Sequence, residues 1–351
     1  MDCPASTDAD PLLLLHEHQY HPLAILDIHD ETTDTRSFVL DIPATLRDTF
    51  HYTAGQFCTF RATVNGDEVV RCYSMSSSPD TGDPFTTTVK RVPTGRMSNW
   101  MNDTLTLGDT IDVLRPSGLF VLHPHDTPIV AFAGGSGITP VISIVKTALV
   151  TTGRPIRLVY ANRDADSVIF REAIDRLIAS NGDRLSVHHH LDSDGGFLDP
   201  DACAKLAGAQ VDADFYICGP GPYMDTVEAG LATLGVEPTH VFIERFELSE
   251  DTGSESETSD TESIVIKLAK QEKSIDYQVG DTILETARRA GLNPPFSCEQ
   301  GHCATCMAHL DAGTVRMRVN NALSPEEVTD GWVLTCQSLP TSREVVIDYD
   351  A

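Results

Sequence analysis

Four cysteines constrain this chain more than any other feature. Cys298, Cys303 and Cys306 sit close together in Cys298-Glu299-Gln300-Gly301-His302-Cys303-Ala304-Thr305-Cys306, and Cys336 follows after 29 intervening residues, giving C-x4-C-x2-C…C. This spacing suits a [2Fe–2S] cluster, in which each iron takes two protein thiolates besides the bridging sulfides. Gly301, Ala304 and Thr305 are small enough to let a loop wrap the cluster and aim its N–H groups at the sulfurs. Structural zinc is the alternative. It usually takes two paired knuckles, whereas here one pair is C-x4-C and the last cysteine stands alone.

The surrounding pattern agrees with a cluster. Ser263 to Leu268 and Ser274 to Val279 alternate like a hairpin. Asp281 is placed to cap a helix with Ile283, Leu284, Ala287 and Ala290 on one face, and Gly291 to end it. Hairpin, helix and cysteine loop in that order resemble the β-grasp of plant-type ferredoxins. Just upstream, residues 247–262 hold seven acids, no base and one large apolar side chain, Leu248. Such a run buries no core and reads as a flexible linker.

Asp and Glu outnumber Lys and Arg by 52 to 25 over 351 residues, a net charge of -27. Nucleic-acid and anionic-membrane partners are therefore excluded, since both need clustered bases. Leu12 to Leu15 follow Asp2, Asp8 and Asp10 with no basic start, so no export signal is expected and the setting is cytoplasmic. Nine cysteines there imply reduced thiols or metal ligands more than disulfides. Two histidine groups, His16/His18/His21 and His188–His190, lie in strand-like runs that send adjacent side chains to opposite faces, so neither is expected to bind metal.

The middle of the chain reads as alternating strands and helices. Ile129 to Ala133 is a buried parallel-strand run that enters Gly134-Gly135-Ser136-Gly137-Ile138-Thr139-Pro140, with Thr139 expected as N-cap and Pro140 as first helical residue. Glycines let a backbone approach a ligand, and a helix N-terminus offers N–H groups to a pyrophosphate. Ile156 to Ala161 ends in Asn162-Arg163-Asp164, where an adenosine ribose could be met. Asp214 to Cys218 runs into Cys218-Gly219-Pro220. Loops at the carboxyl ends of parallel strands converge on one crevice. Cys218 reads equally well as a buried strand-end residue or as part of that crevice.

The N-terminal third shows short strand-like runs, Gln56 to Ala62, Glu68 to Met75 and Phe85 to Arg91, which suggest a small antiparallel barrel. Within it stands Arg71-Cys72-Tyr73-Ser74: an arginine can reach phosphate, a tyrosine can stack on a flat ring, and a hydroxyl can hydrogen-bond a ring nitrogen. Gly95-Arg96-Met97-Ser98 adds a glycine turn into a helix.

R-x-Y-S at Arg71–Ser74, G-x-x-S at Gly95–Ser98, G-G-S-G-I-T-P at Gly134–Pro140, C-G-P at Cys218–Pro220 and Glu244-Arg245-Phe246 together resemble the ferredoxin–NADP reductase superfamily. With the ferredoxin-like C-terminus, nearly the whole chain resembles the flavin–nicotinamide–ferredoxin reductases that feed oxygenases. The resemblance implies a multidomain chain: an antiparallel β-barrel flavin domain over 17–124, an α/β parallel-sheet nicotinamide domain over 125–246, the linker 247–262, and a β-grasp ferredoxin domain over 263–351.

It also implies roles. Arg71 would contact the flavin pyrophosphate, Tyr73 would stack on the flavin, and Ser74 would bond near N5. Thr88, Val89 and Lys90 match a flavin-lining strand, and Gly95, Arg96, Met97 and Ser98 would hold the pyrophosphate. Gly134, Gly135, Ser136, Gly137, Thr139, Cys218, Gly219 and Pro220 would hold the nicotinamide dinucleotide. Ser74, Cys218 and Glu244 would line the reacting centre, with Phe246 against the flavin. FAD is expected over FMN on the strength of Gly95–Ser98. NADH is expected over NADPH: Arg163 could pair with a 2′-phosphate, but Asp164 beside it would repel one. The implied path runs from NAD(P)H through flavin and cluster to a separate oxygenase, expected to be a Rieske-type 3-ketosteroid 9α-hydroxylase, with phenylacetyl-CoA epoxidase as the alternative. A non-enzymatic electron carrier or redox sensor is disfavoured by the intact flavin and glycine motifs.

Overall fold

The computed structural model describes residues 20–208, 211–245, 261–292, 294–296, 301, 304–320 and 322–351. Its first unit has strands β1 (His21–Thr32), β2 (Thr35–Leu40), β3 (Phe57–Val64), β4 (Asp67–Ser74), β5 (Thr86–Lys90) and β6 (Thr110–Val113), with helix α1 (Arg96–Thr104) before β6. The antiparallel order is β4-β3-β6-β1-β2-β5. A bridge between Met75 and Thr87 joins the two edges, closing the sheet into a barrel. Closure removes the open edges that an isolated sheet would expose. Leu23, Ile25, Phe38, Phe60, Val89 and Val113 fill the interior, and Met97 and Met101, one turn apart on α1, plug it.

The second unit is a parallel sheet of β7 (Ile129–Gly134), β8 (Ile156–Asn162), β9 (Leu185–Leu191), β10 (Asp214–Gly219) and β11 (Val241–Arg245). Helices α2 (Ile138–Thr151), α3 (Arg171–Asn181), α4 (Pro200–Ala207) and α5 (Gly221–Leu234) cover it. The order β11-β10-β7-β8-β9 reverses direction between β7 and β10, which opens a crevice at their carboxyl ends. Ile129, Val130, Phe132, Phe215, Tyr216 and Ile217 are buried on both faces, as a doubly covered parallel sheet requires. The apolar stretch from Ile129 to Val150 is thus a core strand and a 14-residue helix. Among the described residues no helix is long and apolar enough to cross a membrane.

At the opposite, amino rim of this sheet Asp214 is fully buried. It accepts from Arg154 at 2.5 Å, His240 at 2.8 Å and His125 at 3.0 Å. Burial pushes its pKa up, but these bonds outweigh it and hold the carboxyl below its ordinary value.

The third unit has β12 (Ser263–Leu268), β13 (Gln271–Asp276), β14 (Met307–Ala312), β15 (Val315–Met317), β16 (Trp332–Leu334), β17 (Ser338–Pro340) and β18 (Glu344–Asp348) with helices α6 (Ile283–Arg289) and α7 (Pro325–Thr329). Its main sheet, β13-β12-β18-β14-β16, places β12 parallel to β18 in the centre, the β-grasp arrangement, with Ile283 and Ala287 of α6 in the core beneath it. Two local expectations change. Ala269 and Lys270 both adopt positive φ, a two-residue turn that starts the return strand at Gln271, three residues before the expected Ser274. Thr282 rather than Asp281 caps α6, in a reciprocal capping box with Glu285, while Asp281 accepts from Arg289. Thr261 and Glu262, the last residues of the expected linker, bond to the backbone of Ser342 and Arg343.

Candidate functional site

The barrel and the parallel sheet are fastened beside the crevice. Directly after β4, Ser77 accepts at its carbonyl from Ser143 of α2 at 2.6 Å, and Ser78 Oγ meets Thr147 Oγ1 at 2.6 Å. Lys146 of the same helix donates to the Ser76 carbonyl at 3.2 Å and to Asp83 at 2.9 Å. The chain leaving Arg71–Ser74 therefore docks on the helix that begins at Gly134–Gly137.

Strand alternation sorts the R-x-Y-S residues. Arg71 is exposed and donates to the Val70 carbonyl at 2.6 Å; Tyr73 packs against Phe60 with ring centroids 5.7 Å apart. Ser74 is buried, and its Oγ has no hydrogen-bond partner among the described residues. A buried hydroxyl left unpaired costs about 1–3 kcal/mol, so an acceptor or donor from a bound group fits this position. Thr88 Oγ1 already meets Ser37 and Ser76, each at 2.7 Å. The Val89 side chain lies in the barrel core, and Lys90 sits 3.4 Å from Asp34. Gly95 is the N-cap of α1; Arg96 donates to Asp67 at 2.8 Å, Met97 faces the core, and Ser98 Oγ accepts from Val92 N at 3.2 Å.

Across the crevice the two glycine loops touch. A Cβ on Gly137 would lie 2.1 Å from the Cys218 carbonyl oxygen, so only glycine lets the end of β7 and the end of β10 meet. The turn through Gly135–Gly137 runs straight into α2, whose N-cap is Gly137, not Thr139. Thr139 lies inside the first turn and donates back to the Ser136 carbonyl at 3.0 Å, because the backbone is already helical at Ile138. Tyr223, to which the sequence alone assigned no role, fills the space beside Gly134 and Gly219, and its hydroxyl is buried without a partner among the described residues. The open space beside Gly135 and the orphaned Tyr223 hydroxyl fit a dinucleotide.

Cys218 pairs with Glu244 in register between β10 and β11, and both are buried. Burial lifts the Glu244 carboxyl to about 8. Burial, reinforced by the neighbouring Glu244 charge, raises the Cys218 thiol well above its ordinary value. Cys218 is thus a neutral residue that shapes the crevice, not a thiolate nucleophile. Phe246 lies outside the described residues. Arg163, at the end of β8, is 3.6 Å from Asp34 of the barrel and donates to Ser167 at 3.2 Å, while Asp164 caps the next turn by accepting from Ser167 N at 2.9 Å. Both side chains offered as readers of a 2′-phosphate thus have protein partners.

In the third unit Cys306 and Cys336 are buried in one apolar cluster with Leu284 and Leu334. The Cys306 carbonyl accepts from Thr335 Oγ1 at 2.7 Å, fixing the two segments together. Gly301 has φ +77, and a Cβ there would meet the Val319 carbonyl at 2.7 Å. Two thiols brought into one apolar cluster beside the Gly301 turn fit a [2Fe–2S] cluster. Cys298 and Cys303 lie outside the described residues.

Three family models match the chain: an oxidoreductase FAD-binding domain over residues 22–122, an oxidoreductase NAD-binding domain over 132–229, and a 2Fe-2S iron-sulfur cluster binding domain over 266–341. The ferredoxin reductase component of 3-ketosteroid-9-alpha-monooxygenase from Mycobacterium tuberculosis (strain CDC 1551 / Oshkosh) is 39% identical over 93% of this chain and 95% of its own. A component of 1,2-phenylacetyl-CoA epoxidase from Escherichia coli (strain K12) is 32% identical over 95% of this chain and 98% of its own. Among solved structures, phthalate dioxygenase reductase, described as a modular structure for electron transfer from pyridine nucleotides to [2Fe-2S], superposes with a TM-score of 0.59 at 26% identity, covering 97% of this chain and all of that one.

Proposed function

Given that the chain belongs to the family of FAD-, NAD- and [2Fe-2S]-binding reductase components of oxygenase systems, we propose that it carries electrons from NADH to a separate terminal oxygenase in the cytoplasm. When bound, the flavin would take up the electron pair of a hydride and the cluster would let those electrons leave one at a time, the proton passing to solvent. The acceptor is proposed to be a Rieske-type 3-ketosteroid 9α-hydroxylase, on the likeness to the reductases of such monooxygenases over nearly their whole length.

The chain's own residues position and desolvate. The single observation that carries the reading is the unpaired Ser74 hydroxyl at the barrel edge that docks on α2. Ser74 would donate to the flavin ring, Arg71 would pair with its pyrophosphate, and Tyr73 would cover its face. The N–H groups of Gly95–Ser98 would add to the pyrophosphate hold. Gly134–Gly137, Thr139 and Cys218–Pro220 would hold the dinucleotide, and the neutral pair Cys218 and Glu244 would exclude water and keep negative charge from the reacting centre. Hydride transfer asks chiefly for such placement. Cys298, Cys303, Cys306 and Cys336 would hold the cluster. NADH is favoured because Arg163 and Asp164 are engaged by Asp34 and Ser167.

The test is anaerobic titration of the purified protein with NADH and with NADPH, followed by its visible spectrum. NADH is expected to bleach flavin and cluster bands at lower concentration than NADPH. Cys303→Ser should keep flavin reduction and abolish electron delivery to the oxygenase; a wild-type protein with zinc and no visible chromophore overturns the reading.

A further inference from the structure

The amino rim of the parallel sheet gathers a second set of ligating side chains, far along the strands from the crevice. His125 belongs to the connector that leaves the barrel, Asp214 opens β10, and His240 precedes β11. One donor atom from each lies within 4.8 Å of the others. Asp214 Oδ1 is 3.0 Å from His125 Nδ1 and 2.8 Å from His240 Nδ1, while Oδ2 takes the guanidinium of Arg154 at 2.5 Å. We propose that His125, Asp214 and His240 bind one divalent transition-metal ion of the zinc or nickel class, which pins the connector between the flavin and nicotinamide units to the sheet.

The geometry and the chemistry of the donors carry this. A divalent ion about 2.1 Å from each of three donors holds them about 3.4 Å apart at the tetrahedral angles zinc prefers and about 3.0 Å apart at octahedral right angles, in either case leaving other positions open. The observed carboxylate–imidazole separations of 2.8 and 3.0 Å lie close to this range, and all three donor atoms fall within 4.8 Å of one another. Arg154 binds the other carboxylate oxygen and the His123 carbonyl at 3.0 Å, so it orients the ligand from outside, as partners of ligating carboxylates do. The His123 ring stacks on Phe242 at 4.0 Å and on His125 at 5.7 Å, which fixes the connector from its other side. His125 and His240 side chains are 39% and 32% exposed, so solvent and an ion reach the site although Asp214 itself is buried. Imidazole donors select the zinc, nickel and copper group over magnesium or calcium.

Cluster-loaded wild type, His125→Gln and His240→Gln, each first passed over a chelating resin, would be titrated with zinc chloride by calorimetry at about pH 7.5. Wild type should take up one more ion per chain than either variant and gain a few degrees of melting temperature that neither variant gains, with iron content unchanged in all three. Arg154 stays bonded to Asp214 in either variant, so neither substitution strands the buried carboxylate; a melting curve without zinc checks that each variant is folded. Equal zinc uptake by wild type and either folded variant overturns the proposal.

Discussion

Two buried carboxylates stand at opposite rims of one parallel sheet and meet opposite fates. Asp214, at the amino rim, has an arginine and two histidines around it and stays ionised. Glu244, at the carboxyl rim, has burial alone acting on it, and its carboxyl rises to about 8. The difference separates structure from chemistry. At the amino rim the connector, β8 and β11 must be held together, and a satisfied charge does this. At the carboxyl rim, where strand ends open on the crevice, Glu244 keeps its proton and the Tyr223 hydroxyl beside Gly134 and Gly219 has no partner among the described residues, as expected where a ligand completes the polar pairing.

The largest effect is expected at Asp214. Asp214→Ala leaves Arg154, which is 2% exposed, without its carboxylate, and removing one partner of a buried pair costs about 3–5 kcal/mol. Urea unfolding should show that loss with the crevice residues untouched; a loss under about 1 kcal/mol would mean that solvent reaches Arg154 and that the rim is not a structural clamp.

Glu244→Gln tests the other rim, with the opposite sign. A carboxyl near 8 in the folded chain and 4.5 unfolded keeps its proton only when folded, so the wild type loses stability as pH rises from about 4.5 to 8. The ceiling is about 5 kcal/mol at about 1.4 kcal/mol per unit; roughly 2 kcal/mol is expected after relaxation. The variant should lack this slope, so the stability difference between the two proteins should grow in its favour toward pH 8. Parallel pH profiles would show that Glu244 is ionised and solvated.

Ser74→Ala gives the smallest change in stability, within about 1 kcal/mol, since the hydroxyl it removes has no protein partner among the described residues. The rate of flavin reduction by NADH in rapid mixing should nonetheless fall about tenfold, a loss of about 1.4 kcal/mol in positioning. A large stability loss with an unchanged rate would instead make Ser74 a core residue.

Much of this architecture is legible in the residues. Barrel strands β3, β4 and β5, with Ile129–Gly134, Leu185–Leu191 and Asp214–Gly219, fall within two residues of where period and turn chemistry put them, because apolar runs bounded by glycine and proline are local signals. The cap of α2 lies two residues earlier than expected because threonine before proline is a common helix start, whereas the glycine turn here is already helical on entry. Met97 and Val89 sit within motifs but turn into the core, since strand and helix periods, not motif membership, decide which way a side chain faces.

The order of the three units, their element types and the cysteine spacing are all set by residues near one another in the chain, and so could be read from it directly. Folding in three dimensions settles the rest: that Glu244 holds a proton, that Asp34 faces Arg163, and that His125, Asp214 and His240 share one site. His125 and His240 lie 89 and 26 residues from Asp214, so no spacing announces them. Their chemistry follows from desolvation and from which strands are neighbours in the sheet, and chain folding alone supplies both.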